Sequence, residues 1–158
     1  MIVESSYSVP PSELLDILID LDYLTARHQH FGGVDKPDVT TNGTMTQLRI
    51  PRQLPVDHFP AVARSFVGDG RIVQVDQWDT ASSPLSGTWT AEMGKTPVDM
   101  TGTYEIRPDG DGSTYVVTAT VKVNVPMFGA KIESEAVDYL TSLITAEQKF
   151  LTDWLADH

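Results

Sequence analysis

Glu147 is the residue of this sequence best placed to do chemistry. With about 100° between successive residues of a helix, it falls near the centre of an apolar arc holding Ala136, Leu140, Leu143 and Trp154. A carboxylate on such a face is costly to bury unless it is paired, hydrogen-bonded or turned to a watered cavity. Two readings follow. Glu147 is a polar anchor or general acid/base with a raised pKa, or it sits at the open end of the grip between helix and sheet, in solvent or paired with an arginine. Around it, strand periodicity points Tyr7, Gln77, Trp89, Met100, Tyr104 and Tyr115 to one interior, where Ile132, Ala136, Tyr139 and Leu143 of the helix meet them. Aromatic groups with polar tips suit the lining of a mostly apolar ligand pocket, and they equally suit core filling.

Other constellations yield little. His28 and His30 diverge on a helix, and His58 and His158 lie in unrelated segments. Zinc needs three or four convergent ligands, so the pair reads as a polar helix end facing water, and no metal or cofactor is expected. Asp109-Gly110-Asp111-Gly112 echoes the start of a calcium loop, but Thr114 and Thr120 stand where an EF-hand requires Gly and Glu. It reads as a turn. Gly68-Asp69-Gly70 lacks the strand–helix context of a dinucleotide site. No Gly-x-Ser-x-Gly elbow is present.

The elements that must position these residues follow from periodicity. Ile2 to Val9 alternates as a first strand, with Val3, Tyr7 and Val9 on one face. Pro10-Pro11 ends it, Ser12 is placed to cap a helix carrying Leu14, Leu15, Ile17, Leu18 and Leu21, and a second short helix runs from Asp22 to about His30. Asn42-Gly43 signals a hairpin. Pro60 suits the first turn of a short helix over 61–66. Arg71 to Asp79, Leu85 to Met93 and Asp99 to Arg107 read as strands, as does one long strand from Tyr115 to Val125. A helix from Ala130 to Ala156 closes the chain, roughly 40 Å long. Strands with one wet face followed by an amphipathic helix indicate an α+β domain whose sheet is covered by that helix.

The chain has 158 residues, which fits a single domain over 1–158. Twenty-two acidic residues against eleven basic ones give a net charge of −11, which disfavours nucleic acid and anionic lipid headgroups as partners. There is no cysteine, hence neither a disulfide frame nor a thiolate site. No apolar run is long enough for stable membrane insertion. The N-terminal residues lack the pattern of a signal peptide, so the cytoplasm is the expected compartment.

The order of elements and the strand-to-Pro-Gly-to-helix join resemble the helix-grip fold of the START-like (SRPBCC) superfamily of polyketide cyclases, lipid-transfer domains and pollen-allergen-like proteins. Phe66-Val67-Gly68, the strand ending at Trp78, and the run from Val125-Pro126-Met127-Phe128-Gly129 to Glu133 resemble a bacterial family of unknown function within it. The resemblance implies a curved antiparallel sheet of about six to seven strands wrapped around the C-terminal helix. It also implies an apolar or amphipathic small-molecule partner, lipid-like or polyketide-like, held between them. The rival readings are a cyclase or hydratase using a buried acid such as Glu147, for which no second inward carboxylate is evident, and an interaction domain with a filled core. No catalytic motif carries over.

Overall fold

Strand β1 (Ile2–Tyr7) leads through two prolines into helices α1 (Pro11–Leu18) and α2 (Leu21–His30). The computed structural model describes residues 1–59 and 61–158, so the role expected of Pro60 lies outside the described residues. Ser12 is not the cap of α1. Pro11 occupies the first turn, where a missing N–H costs nothing, and no side chain caps the end. α2 has a true cap, with Asp20 Oδ1 accepting from the N–H groups of Asp22 and Tyr23, both at 3.0 Å.

Strands β2 (Asp38–Asn42), β3 (Met45–Gln53), β4 (Arg71–Asp79), β5 (Leu85–Glu92), β6 (Val98–Asp109), β7 (Gly112–Thr118) and β8 (Thr120–Val123) follow, with a 3₁₀ turn (Val56–His58) and α3 (Ala61–Val67) between β3 and β4. Among the described residues they form one antiparallel sheet in the order β1-β7-β6-β5-β4-β3-β2, with β8 also paired to β6. Asn42-Gly43 and Gly110-Asp111 make the expected turns, with both glycines in the left-handed region that L-residues avoid.

The strand expected to run unbroken from Tyr115 to Val125 is interrupted at Ala119. The cause is Trp89. Its Nε1 donates to the Thr118 carbonyl at 2.9 Å, and Thr118 Oγ1 accepts from the Thr103 N–H at 2.9 Å. The ring lies against Gly102, its cross-strand partner, where any Cβ would collide with the indole and with the Thr118 carbonyl. Ala119 pairs instead with the first residue of the chain, exchanging backbone hydrogen bonds with Met1.

Helix α4 (Gly129–Asp157) covers the concave face. Its most buried positions are Ile132, Leu140, Ile144, Gln148 and Leu151, which fall on one stripe. Glu133 accepts from the Val123 N–H at 2.8 Å and fixes the join from β8. At mid-helix, Ser5 donates to Gln148 Oε1 (2.6 Å) and Tyr7 donates to the Gln148 carbonyl (3.1 Å), tying α4 to β1. Towards the end, Phe150 and Trp154 pack on Tyr23 of α2, with ring centroids 6.0 and 5.5 Å away.

Candidate ligand chamber beneath helix α4

A chain of polar contacts crosses the inner face. Arg52 continues the inward side of β3 after Leu48 and Ile50. Its Nε donates to Gln74 Oε1 at 2.7 Å, and its Nη2 lies 2.7 Å from Glu147 Oε1. Gln74 Nε2 donates to Asp76 Oδ1 (2.7 Å) and to the Tyr104 hydroxyl (3.0 Å), and that hydroxyl donates to Asp76 Oδ1 (3.0 Å). Tyr104 stacks on Trp78, with centroids 5.0 Å apart. Side chains of β3, β4, β6 and α4 are thereby held in one network.

The electrostatics divide the two carboxyl groups. Burial alone would raise Glu147, but the charges of Arg52 and Arg27 outweigh it and hold the group below the usual carboxylate range. Glu147 is therefore an ionised partner of arginine, and the raised pKa expected of a general acid is not found. Asp76 behaves oppositely. Burial dominates and raises it, against the lowering effect of its hydrogen bonds and of Arg27 and Arg52. Asp76 also corrects the expectation that no second carboxylate points inward, since it is 3% exposed. Burial likewise pushes Tyr23 up to about 12 and raises Tyr104 and Tyr115, so these phenols stay protonated.

This network walls one of three adjoining spaces under α4. The polar chamber offers about 50 Å³ of room for water-sized atoms, bounded by Tyr23, Arg27, Arg52, Gln74, Trp89, Tyr104, Tyr115, Glu147 and Gln148, with Leu18, Val117, Leu140, Leu143, Ile144 and Leu151. The apolar chamber, about 70 Å³, lies among Leu54, Phe59, Ala63, Val67, Met93, Val98, Met100, Ile132, Ala136 and Tyr139, with Glu135 as its one charged neighbour. Leu140 and Leu143 belong to both walls. A smaller space of about 30 Å³ beside His28 and Phe31 shares Arg27, Arg52, Leu143 and Glu147. Leu143 thus touches all three.

Residues 3–155 match a family described as "Protein of unknown function (DUF2505)". The chain belongs to the DUF2505 family. This DUF2505 chain is 25% identical to an uncharacterized protein of Mycobacterium tuberculosis over 141 residues, covering 87% of this chain and 79% of that protein. A START superfamily protein from Mycobacterium smegmatis superposes with a TM-score of 0.59 at 12% identity, covering 98% of this chain and 97% of the other. The di-domain ARO/CYC BexL of the BE-7585A biosynthetic pathway gives a TM-score of 0.60 at 15% identity, over 97% of this chain and 45% of that one. The fold is the helix-grip fold that these solved structures share, and no helix of the described residues is long and apolar enough to cross a membrane.

In this DUF2505 chain the expected site residues separate by place. Trp89, Tyr104 and Tyr115 line the polar chamber; Met100, Ile132 and Ala136 line the apolar one; Tyr139, Leu143 and Glu147 lie where the spaces adjoin. Gln77 does not belong with them. It is exposed on the outer face, in a groove with Thr40, Asn42, Met45 and Gln47, because the inward parity of β4 is that of Gln74, Asp76 and Trp78. Tyr7 is buried but borders none of these spaces, its hydroxyl being spent on the α4 backbone. His28 is not a solvated helix end either. It is buried, with Nε2 at 3.1 and 3.0 Å from the carbonyls of Val34 and Asp35, which folds the following loop over α2. Residues not anticipated are Arg27, Arg52, Gln74, Asp76 and Gln148. Each shares a face with an apolar neighbour that marks it: Tyr23 for Arg27, Ile50 for Arg52, Trp78 for Gln74 and Asp76, Ile144 for Gln148.

Proposed function

We propose that this protein binds an apolar or amphipathic small molecule between its sheet and α4. The observation that supports this most directly is the pairing of an apolar chamber with a polar one across a shared wall of Leu140 and Leu143. As they stand, the chambers hold a few water-sized groups each. A larger occupant enters by displacing the half-buried Leu143 and the flexible Met93 and Met100 side chains, which repack at little cost. Affinity comes from apolar area removed from water, about 25 cal/mol per Å² before ordering costs.

Binding is favoured over catalysis by the state of the two carboxyl groups. Glu147 is held ionised by arginine, and Asp76, its Oδ1 accepting from Gln74 and Tyr104, does not border the chamber. Neither is a free proton donor at the chamber. The reading is tested by native mass spectrometry of the purified protein before and after organic extraction. A discrete added mass that extraction removes is expected. A bare 17.4 kDa chain that also fails to take up an apolar fluorophore would overturn the reading in favour of a closed interaction domain.

A further inference from the structure

Arg27 is 9% exposed, and no carboxylate oxygen of the described residues comes within 4.0 Å of its guanidinium nitrogens. The carboxylate that could serve it, Glu147, is already at 2.7 Å from Arg52. Asp76 has its Oδ1 filled by Gln74 and Tyr104 and does not border the chamber. The face of Tyr23, 5.7 Å from Arg27 Cζ, offers only partial compensation. Arg27 Nη2 is enclosed with no hydrogen-bond partner among the described residues. Gln148, 4% exposed, has its amide oxygen taken by Ser5 and its Nε2 enclosed without a partner. Both residues line the polar chamber. Two buried donors left open, one of them charged, are costly in a folded protein unless something arrives to accept from them.

We propose that the ligand carries an acidic head, a carboxylate or an equivalent oxyanion, which accepts from Arg27 Nη2 and Gln148 Nε2 while its apolar body passes Leu143 into the chamber of Met93 and Met100. This rests on the binding reading above and names the class of molecule. An anionic oxygen completes both donors and places against Arg27 the contacting counter-charge that the more distant Glu147 does not supply. An alcohol accepts but brings no charge, and an ammonium head offers these two donors no acceptor, leaving them open even where it meets the Glu147 carboxylate on the same wall.

The test uses the full chain loaded with a neutral apolar fluorophore, N-phenylnaphthylamine, and displaces it with decanoate, decanol or decylammonium. These share a chain length and differ in the head. Decanoate is expected to displace at concentrations about tenfold or more below those of decanol, with decylammonium weakest, as a charge-assisted hydrogen bond to a buried arginine implies. In Arg27→Met the ratio of decanoate to decanol affinity falls towards unity. If that variant does not fold, Gln148→Met carries the comparison, and the ratio is expected to shrink several-fold. Equal displacement by decanoate and decanol in the native chain, or a ratio unmoved in a folded variant, overturns the acidic head and leaves the binding reading standing. If the fluorophore and all three competitors fail to bind, the binding reading falls and takes this inference with it.

Discussion

Glu147 and Asp76 make opposite demands on pH because one is paired and the other is wrapped. The carboxyl of Glu147 is lowered in the folded protein from 4.5. Its contribution is therefore fully present above that value and is lost as pH falls through the lower folded value. Glu147→Gln strands Arg52 at a site where the two side chains are only 14% and 15% exposed. The expected loss at neutral pH is about 1–3 kcal/mol, less than for a fully enclosed pair. Urea unfolding of variant and native protein should show that difference shrinking in acid. The carboxyl of Asp76 is raised from 3.8, so its ionisation costs stability as pH climbs above that value through the folded one. Asp76→Asn retains an acceptor for Gln74 and Tyr104, and its stability relative to the native chain should improve as pH rises. The two variants must slope in opposite directions on one pH axis.

Among the elements, α2 and the β5–β6–β7 crossing have identifiable weak points. Asp20 satisfies two N–H groups that open α2, so Asp20→Ala should cost about 1 kcal/mol, read as a lowered urea midpoint. The β5–β6–β7 crossing depends on Gly102 having no side chain. Gly102→Ala drives a methyl group into the Trp89 ring and the Thr118 carbonyl, and the backbone cannot yield without unseating β7. A loss of at least about 2 kcal/mol is expected in the same measurement, as for other overpacked cores. The pairing also explains why one long alternating run becomes β7 and β8. Alternation survives the break because the register of residues with β6 is the same on both sides, Tyr104 with Val117 and Met100 with Val121.

At the scale of the whole molecule, the sheet and α4 behave as two jaws. β1 holds α4 through Ser5, Tyr7 and Gln148, and α2 holds its end through Tyr23. Between those ties the closure runs over Leu140, Leu143 and Ala136, where the chambers lie. Filling that span separates the occupied space from the rest of the core. Ala136→Phe should lower affinity for an apolar fluorophore by about tenfold, on the scale of losing one well-packed apolar contact, while circular dichroism shows the fold retained. The net charge of −11 does not disclose the buried Arg27 and Arg52, which share the interior with Glu147 and Asp76. The interior carries a local polarity that the overall charge conceals.

Much of the architecture was legible along the chain because its signals are local. The alternation of Trp89 and Ala91, or of Met100, Tyr104 and Ile106, is a two-residue period that exposes one buried face. The α4 stripe is a matter of helical geometry, and Leu143 and Glu147 could be placed on it without knowing what they face. β4 shows where that reasoning stops. Its apolar residues Ile72, Val73, Val75 and Trp78 occupy both parities, so periodicity does not say whether Gln77 or Asp76 turns inward. Pairing with β3 and β5 decides it. The polar site was hidden for a related reason. Arginine in a sequence reads as solvated, and its burial becomes tolerable only when partners from remote segments converge. Arg52 meets Glu147 from 95 positions away, and Arg27 and Gln148 come from helices at opposite ends of the chain. The sequence by itself determined the elements and most of the cavity-facing side of the helix, because backbone periodicity is written in consecutive residues. Only the tertiary structure decided which charges are buried, which are paired and which donors are left open, because those energies depend on groups brought together by folding.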